Sequence, residues 1–541
     1  MIQSNRRRAP ARRFALLTIA AALAFSASPA AAADHSISRG PSTTTDPYVL
    51  PVADRVSITS LLTVNDAGAA GNGYEMVGIP DGIGLSIAGG RAVAFMNHEL
   101  RDAQGIVRRH GQIGSFASRL EIDRRTLAVT AGSDLVDPGV RFYDYPTGAY
   151  VTTGARFADN MPQDSTFGRW CSSTLTDPGL LYSESKRVGY RGQIYFGNEE
   201  DGDIGRTFGV LTDGTTKALP RLGLFQWENT IPADNTSATT LVMGQEDGPA
   251  GPVSQLWVYA GTKQQSGDAF DRAGLTNGLS FVIDVVNQAV STDTQWRAVV
   301  GTGNSAPVTL NEVPWNQSGA AQNAEALAEG LGMNRIEDGY WDPNDRDRFY
   351  FVTTEGGDTT TTFPYTRDGG GLWLLEFKNV DKPQQGARLT LLLDGSEEIA
   401  PGEPKLNKPD NMAIDRQGNL LIQEDPGNNA HLARILAYRL EDGALGVVAR
   451  FDADRFLAGG SAFLTQDEES SGIIDADRAF GRGSFLFEAQ IHTPAGLPPG
   501  TGPNTVQEYV ENGQLLLLRV GDWEAVYGSD DDDDDDDGDD D

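Results

Sequence analysis

The chain has 541 residues, with 43 Lys and Arg against 76 Asp and Glu, which gives a formal net charge of −33. This excess of negative charge argues against binding nucleic acid through its phosphates, because a polyanion would be repelled. Hydrophobic residues make up 39% of the chain, and its 63 Gly and 27 Pro favour a turn-rich, many-stranded protein with enough length for a large core.

Residues 1–33 have the pattern of an export signal peptide. Five arginines precede an apolar run from Phe14 to Phe25 that is too short to span a membrane, and Ala31-Ala32-Ala33 offers a small-residue cleavage site. The pair Arg12-Arg13 resembles a twin-arginine signal, whereas an ordinary secretory signal is the alternative. No later stretch is long and apolar enough to predict a transmembrane helix. We therefore expect a periplasmic or secreted protein.

Residues 34–528 contain one recurring pattern, in which a polar turn leads into a short apolar or alternating run that often ends in a carboxylate or amide. Its six copies cover residues 90–99, 192–200, 254–261, 347–355, 418–425 and 483–492. Copies at intervals of roughly 60 to 100 residues are typical of propeller blades with insertions. The sequence thus predicts an all-β fold, a six-bladed β-propeller with insertions. A β-sandwich or two unrelated β domains are the alternatives, since periodicity does not count blades.

Further strands are predicted at 372–377, 387–393 and 433–440, and one short helix at 320–331, which is rich in Ala, Glu and Leu. Residues 529–541 contain eleven aspartates, so this tail is predicted to be disordered. In a propeller, strand ends meet near one mouth of a central channel. Carboxylates at the same end of several blades would then lie together and could hold cations.

Cys171 is the only cysteine of the chain, which excludes an internal disulfide bond. A single thiol in an oxidising compartment needs burial or a metal to protect it. The pair Glu199-Glu200 follows within about thirty residues, and thiolate with carboxylate is the usual donor combination for a transition metal beside a hard cation. The alternative is a buried structural cysteine followed by a solvated acidic turn.

Other sites of hydrolysis are not supported by the sequence. The five histidines show no His-x-x-x-His spacing, and neither a Gly-x-Ser-x-Gly elbow nor a phosphate-binding Gly-x-x-x-x-Gly-Lys loop stands out. Carboxylates recur instead, mostly at predicted strand ends: Glu99, Glu228, Glu246-Asp247, Glu337 and Asp410. Arg335 and Glu337, two residues apart, would point the same way along a strand, and a guanidinium beside a metal cluster suits two-point binding of phosphate.

Cys171, Glu199-Glu200, Trp227-Glu228, Asp247, Arg335-x-Glu337-Asp338-Gly339 and Pro409 to Asp415 stand in an order that resembles the PhoX-type alkaline phosphatases. The resemblance extends from about residue 50 to about residue 525 and includes Glu469 to Gly472 and Gln490-Ile491-His492. It implies a six-bladed propeller, exported by the twin-arginine route, that hydrolyses phosphomonoesters with iron and calcium. Carried over to this chain, the resemblance implies that Cys171 binds iron and that Arg335 holds the phosphate. It also implies that the metal cluster is completed by Glu199, Glu200, Glu228, Asp247 and Glu337, with Glu246 as an alternative to Asp247.

The sequence analysis therefore predicts a monomeric, exported metallophosphatase with Arg335 and Cys171 as its catalytic residues and a phosphate ester as its substrate. Two alternatives remain open. One is a calcium-binding propeller of the cell envelope without catalysis, and the other is a calcium-dependent propeller hydrolase such as a phytase or a lactonase.

Overall fold

The computed structural model describes residues 36–152, 166–249, 251–287, 289–354 and 369–528. The predicted signal peptide at 1–33 and the acidic tail at 529–541 lie outside these described residues. Among the helices that are described, none has the length and apolarity needed to cross a membrane.

The described residues are mostly strand. Strands of the first half are β1 Ser36–Arg39, β2 Val49–Pro51, β3 Val56–Thr63, β4 Pro80–Ala88, β5 Arg91–His98, β6 Phe116–Ile122, β7 Val129–Asp134, β8 Arg141–Asp144, β9 Ala149–Thr152, β10 Tyr182–Ser183, β11 Val188–Gly189, β12 Ile194–Asn198, β13 Thr207–Leu211, β14 Thr216–Ala218, β15 Trp227–Pro232, β16 Thr239–Glu246, β17 Pro252–Ser254 and β18 Leu256–Thr262. Strands of the second half are β19 Leu279–Val285, β20 Ser305–Val313, β21 Met333–Asn334, β22 Ile336–Trp341, β23 Arg348–Thr353, β24 Gly371–Phe377, β25 Ala387–Leu393, β26 Pro409–Ile414, β27 Asn419–Glu424, β28 Arg434–Arg439, β29 Leu445–Phe451, β30 Glu468–Asp475, β31 Ser484–Ile491 and β32 Asn512–Val520.

Helices are short. They are α1 Ala269–Arg272, α2 Asp293–Val299, α3 Gly319–Glu329, α4 Ala453–Phe456, α5 Asp477–Phe480, α6 Val506–Tyr509 and α7 Glu524–Tyr527, with 3-10 turns at Gly202–Ile204, Pro220–Leu222 and Pro383–Gln385. The helix predicted at 320–331 is confirmed as α3. It begins where the Ser318 side chain accepts a hydrogen bond from the Ala321 amide, and it ends before Gly330.

All six copies of the recurring sequence pattern are strands, namely β5, β12, β18, β23, β27 and β31, and the other predicted strands are β24, β25 and β28. These strands read as apolar runs because both of their faces are covered. Every residue of β31 is buried, as are all residues of β5 except the first. A strand that is buried on both faces shows no polar alternation, so it stands out in the sequence as a short continuous apolar segment.

The larger sheets are antiparallel through most of their strand pairs. Their strand orders are β4-β5-β6-β7, β12-β13-β14-β8-β9, β15-β16-β18-β19-β20-β25-β24-β23-β22, β2-β29-β28-β27-β26 and β1-β3-β32-β31-β30. The strand β3, near the start of the described chain, pairs with the last strand β32, and β2 pairs with β29. The first and last strands of the described part of the chain are therefore joined within shared sheets.

Hydrophobic side chains fill the spaces between successive sheets. One cluster joins β4, β5 and β6 to β3, β31 and β32, and another joins β5 and β6 to β13 and β14. A third lies between the sheet of β26 to β29 and the sheet of β30 to β32. The sheets thus follow one another around a ring in a propeller-like fold, with the apolar core distributed between neighbouring sheets.

Edge strands of these sheets contact one another on the inner side of the ring. The contacts run from β4 to β30, from β30 to β26, from β26 to β22 and from β22 to β15. The segment before β12 takes the corresponding place in its own sheet, because Trp170 bridges to Glu199 and Leu175 bridges to Tyr195. This arrangement brings together the starts of segments that lie far apart in the sequence.

Candidate metal centre

The six inner segments begin with the same four-residue arrangement, which we call the strand-start repeat. In each copy the carbonyl of the first residue accepts a hydrogen bond from the backbone amide that ends the neighbouring strand. The six pairs, donor first, are Glu99 to Ile79, Glu200 to Arg169, Asp247 to Gln226, Thr354 to Arg335, Asp425 to Lys408 and His492 to Asp467, with N···O distances from 2.8 to 3.1 Å. The repeat is thus defined by backbone geometry and does not depend on side-chain identity.

The third residue of each repeat is an acid or the cysteine: Asp81, Cys171, Glu228, Glu337, Asp410 and Glu469. In four copies the pairing register shifts immediately after the repeat begins, between Pro80 and Ile83, Trp227 and Thr230, Ile336 and Gly339, and Pro409 and Met412. Such bulges re-aim side chains at strand ends. Together they direct four carboxylates from three sheets towards one region.

Three overlapping groups of potential metal ligands result. In each group one donor atom per residue lies within 4.8 Å of the others: Asp81, Glu99 and Cys171; Cys171, Glu200 and Glu228; Glu228, Glu337 and Asp410. Cys171 belongs to two groups, and so does Glu228. The groups therefore form one continuous set, with a thiol in two of them and only carboxylates in the third.

Burial and mutual repulsion disfavour charge on these side chains when nothing neutralises them. Burial, followed by the charges of neighbouring acids, raises the pKa of Asp81, Glu228, Glu337 and Asp410 well above the ordinary range. Burial and Asp81 likewise raise the pKa of the Cys171 thiol. A bound cation would remove this cost, because it favours the charged form of every ligand.

The structure also shows an unused acceptor in this set. Glu228 is 1% exposed, and its Oε1 accepts no hydrogen bond from any of the residues that the structure describes. A buried carboxylate oxygen without a donor is costly, whereas a metal ion would satisfy it. Thiolate with carboxylate, next to carboxylate alone, is a donor set that fits a transition metal beside a hard cation. The residues present therefore fit a metal centre.

The predicted ligands Cys171, Glu200, Glu228 and Glu337 are brought together, but Glu199 and Asp247 lie outside the three groups. Both oxygens of Glu199 are held by a partly buried arginine, with 2.6 Å from Arg206 Nε to Oε2 and 2.6 Å from Nη2 to Oε1. Successive residues of a strand point to opposite faces, so Glu199 and Glu200 cannot both face the same ligand group.

Asp247 instead forms a two-point pair with the predicted phosphate-binding residue. Its oxygens accept from Nε and Nη2 of Arg335 at 2.7 and 2.8 Å, and Nη2 also lies 3.1 Å from Glu337 Oε1. The alternative ligand Glu246 lies outside the three groups, and its Oε2 accepts from the Gln255 amide and from the indole of Trp257 at 2.9 Å each.

Comparison with known proteins identifies the family to which the chain belongs. The family model of alkaline phosphatase PhoX matches residues 182–470. The chain belongs to the PhoX alkaline phosphatase family. No curated protein matches its sequence. Among solved structures, Pseudomonas fluorescens PhoX in complex with vanadate, a transition state analogue, has a TM-score of 0.59 at 13% identity, over 89% of this chain and 97% of that one. This likeness shows a shared PhoX-like fold.

Two further solved structures are more distant from this PhoX family member. A GH43 β-1,3-galactosidase has a TM-score of 0.32 at 10% identity, over 86% of this chain and 94% of that one. A gluconolactonase from Xanthomonas campestris has a TM-score of 0.33 at 9% identity, over 87% of this chain and 97% of that one.

Sequence reasoning did not select three members of the ligand groups of this PhoX chain, namely Asp81, Glu99 and Asp410. Glu99 and Asp410 stand among the recurring acids of the sequence but not among the predicted ligands, and Asp81 belongs to neither set. The missing signal was the strand-start repeat itself. Pro80-Asp81-Gly82, Trp227-Glu228-Asn229 and Pro409-Asp410-Asn411 share an acid between a proline or tryptophan and a glycine or asparagine.

Gly82 has a geometric reason to be glycine. A Cβ added at this position would lie 2.1 Å from the Ser173 amide nitrogen and 2.4 Å from the Ser172 carbonyl carbon. The backbone of the Asp81 repeat therefore approaches the backbone of the Cys171 repeat too closely for any side chain. This close approach helps to place the thiol beside the Asp81 carboxylate, where Sγ lies 3.4 Å from Oδ2.

A second layer of polar side chains supports the ligands, formed by the residues that follow them. The Asn229 amide donates to Asp338 Oδ1 at 2.7 Å and to Ser172 Oγ at 3.3 Å, and Asn411 also donates to Ser172 Oγ at 3.3 Å. These buried hydrogen bonds connect four copies of the repeat directly. They limit the movement of the Cys171, Glu228, Glu337 and Asp410 side chains that stand one residue earlier.

Proposed function

We propose that this PhoX family member hydrolyses phosphomonoesters at a metal centre built from the strand-start repeats. Membership of an alkaline phosphatase family supports the reaction class. We also propose that the fold is a six-bladed propeller, in which the nine-stranded sheet counts as two blades and the metal centre lies at one mouth of the channel. Six equivalent backbone hydrogen bonds support this count.

The observation that carries the proposal is the continuous, buried set of ligands from Asp81 to Asp410. Its two ends differ in chemistry. The groups that contain Cys171 offer a soft thiolate and suit iron, whereas the group of Glu228, Glu337 and Asp410 offers only oxygen and suits calcium. The predicted cofactors, iron and calcium, are therefore kept as the proposed metals. When bound, they would polarise the phosphoryl oxygens and neutralise negative charge in the transition state.

Arg335 is the residue that we propose to hold the phosphate. Asp247 takes the Nε and Nη2 edge of its guanidinium, while Nη1 makes no hydrogen bond with the residues that the structure describes. The side chain is 22% exposed, so it can be reached from solvent. A guanidinium fixed along one edge is preorganised to donate to a phosphoryl oxygen from its remaining nitrogen, which is how positioned charge lowers a barrier.

Glu200, a member of the ligand group that contains Cys171 and Glu228, is held in place by two neighbouring side chains. Arg169 donates from Nη1 to Oε1 at 2.8 Å, its Nη2 lies 2.7 Å from Oε2, and Gln226 donates to Oε1 at 2.8 Å. Burial raises the pKa of this carboxyl to about 8, while Arg169 opposes the shift and Asp247 and Glu99 add to it. Arg169 therefore keeps a ligand carboxylate in place within a strongly acidic region.

Export remains part of the proposal and rests on the arginine-rich, apolar segment at 1–33. A protein exported in this way acts in the periplasm or outside the cell, where phosphate esters are the proposed substrates and a monomer is the proposed state.

The test is elemental analysis of the full chain after native export, together with hydrolysis of an aryl phosphate. We expect iron and calcium in wild type, and loss of iron with retention of calcium in Cys171→Ser. Glu184 is an exposed carboxylate paired with Arg191, so Glu184→Gln serves as the matched control and should keep both metals. Calcium alone in wild type would overturn the iron assignment. Metal-loaded protein without hydrolysis would overturn the phosphatase and leave the calcium-binding propeller.

A further inference from the structure

Three of the six strand-start repeats begin with a basic residue: Arg169, Arg335 and Lys408. All three residues have left-handed backbone conformations, with φ of 27°, 43° and 48°. A non-glycine residue in this region is strained, and such strain persists only where the surrounding structure imposes it. The fold thus places three cations at equivalent positions, each two residues before a ligand of the metal centre.

Lys408 is held firmly in this conformation. Its amide donates to Gly369 O at 2.8 Å, and its carbonyl accepts from the Asp425 amide at 3.0 Å. The equivalent residue Arg335 accepts from the Thr354 amide in the same way. The two residues belong to successive repeats, and the ligands that follow them, Glu337 and Asp410, share one group. Lys408 and Arg335 therefore each stand two residues before a member of the same carboxylate group.

Lys408 differs from its two counterparts in one respect. Arg169 is paired with Glu99 and Glu200, and Arg335 is paired with Asp247 and Glu337. The Lys408 ammonium forms no ion pair within 4 Å among the residues described, although the chain has a net charge of −33. Its Nζ lies beside Gly427, where an added Cβ would stand 3.4 Å away. The side chain is only partly buried.

We propose that Lys408 is a second phosphate-binding residue, which contacts a non-bridging oxygen of the substrate from the repeat next to that of Arg335. The inference rests on the proposed phosphatase function and extends it. A lysine ammonium acts as a point charge towards phosphate, whereas arginine supplies directed donors. Lys408 would attract the phosphate dianion of the substrate and of inorganic phosphate alike, so it would contribute mainly to substrate binding.

The experiment compares Lys408→Met with wild type as full, metal-loaded chains. We expect the KM for an aryl phosphate and the inhibition constant of inorganic phosphate to rise together by about tenfold, with kcat changed less than about twofold. Lys408→Arg should recover most of the affinity, and the metal content should equal that of wild type. A purely structural role would lower stability or metal content without this shared shift in KM and phosphate inhibition.

Lys405→Met is the matched control, since Lys405 is an exposed lysine on the same segment whose Nζ donates to Ser396 O at 2.5 Å. Its KM should stay at the wild-type value. Unchanged KM and unchanged phosphate inhibition in Lys408→Met would overturn the inference, even if wild type is an active phosphatase.

The two proposals fail in different ways. Absence of hydrolysis by metal-loaded wild type would overturn the proposed phosphatase function. Calorimetry with inorganic phosphate would then decide the role of Lys408. Phosphate affinity about tenfold weaker in Lys408→Met would still support the binding residue. Equal affinity of the two proteins, or absence of phosphate binding to wild type, would overturn it.

Discussion

Arg206 grips Glu199 through two hydrogen bonds of 2.6 Å, while the adjacent Glu200 faces the cysteine thiol and Glu228. Two neighbouring glutamates of one strand end thus have different surroundings. Glu199 is paired with Arg206 and lies outside the three ligand groups, whereas Glu200 shares Arg169 with Glu99. Glu200 lies in a group of acids in which a bound cation would lower the energetic cost of burial.

This difference predicts opposite consequences for two identical substitutions. Glu199→Gln should leave Arg206 as a poorly compensated, partly buried charge and cost about 3 kcal/mol of unfolding free energy, while the metal content stays normal. Glu200→Gln should reduce the metal content with a smaller effect on the stability of metal-free protein. Urea unfolding and elemental analysis of both variants provide the check. Loss of metal in Glu199→Gln, with stability unchanged, would show that Glu199 is a ligand after all.

Asp247 and Arg335 offer a second test. In the proposed site Asp247 orients the Arg335 guanidinium, and Arg335 contacts the phosphate. Arg335→Ala should lower kcat/KM for an aryl phosphate by about 10²- to 10³-fold. Asp247→Asn keeps the size of the side chain but weakens the charge-assisted grip on Nε and Nη2, so a smaller loss is expected with the metal content retained. Steady-state kinetics on metal-matched samples measures both effects. Full activity in Arg335→Ala would remove this residue from the mechanism.

The sequence predicted the second strand of most sheets, because strands such as β5 and β31 are apolar throughout and buried on both faces. It did not predict the inner segments equally well. These begin with a bulge and a polar triplet such as Pro80-Asp81-Gly82, so they lack both the alternation of an ordinary strand and the apolar run of a covered one. Asp81 was missed for this reason.

The choice between Glu199 and Glu200, and between Glu246 and Asp247, depends on side-chain direction and on partners from distant segments. Glu246 accepts a hydrogen bond from Trp257, and Asp247 accepts one from Arg335, which is 88 residues further along the chain. Sequence spacing places each pair at a strand end. It does not show which of the two side chains points towards the ligand groups or which arginine lies beside the other. Cys171 can be selected from the sequence, because a single thiol would need protection in the oxidising compartment that the signal-like segment predicts.

Glu424 predicts how stability depends on pH away from the metal centre. Burial alone would raise its pKa, but Arg434 and His431 outweigh burial and lower the pKa from 4.5 to about 2. Since the pKa is lower in the folded state, the stabilisation is present above pH 4.5 and is lost as the pH falls from 4.5 towards 2. Arg434 Nη2 and Nε lie 2.7 and 2.9 Å from its two oxygens.

Urea unfolding of wild type and Glu424→Gln between pH 6 and pH 3 measures this contribution. The stability difference between the two proteins should be largest at pH 6 and shrink as the pH falls below 4.5, because the wild-type carboxyl then begins to be protonated in the unfolded chain and later in the folded one. Glu441→Gln, at an exposed carboxylate on the turn after β28, is the control. A difference that stays constant across the whole range would contradict the assigned pairing.

Glu228 gives the sharpest test of the metal centre, because it belongs to two ligand groups and its Oε1 accepts no hydrogen bond from the described residues. In metal-free protein, burial and the neighbouring Glu337 and Asp81 disfavour its charge. Glu228→Gln removes that repulsion while keeping the shape, so metal-free protein should become more stable. Metal-loaded protein should become less stable, because a shared ligand is lost.

Thermal unfolding with and without a chelator separates these two effects within one variant. We expect the melting temperature of Glu228→Gln to lie above that of wild type after chelation and below it after loading with iron and calcium. Glu184→Gln, at an exposed carboxylate, should match wild type in both conditions. A change of the same sign in both conditions would mean that Glu228 acts only through packing, and the shared ligand between the thiol end and the carboxylate end would have to be another residue.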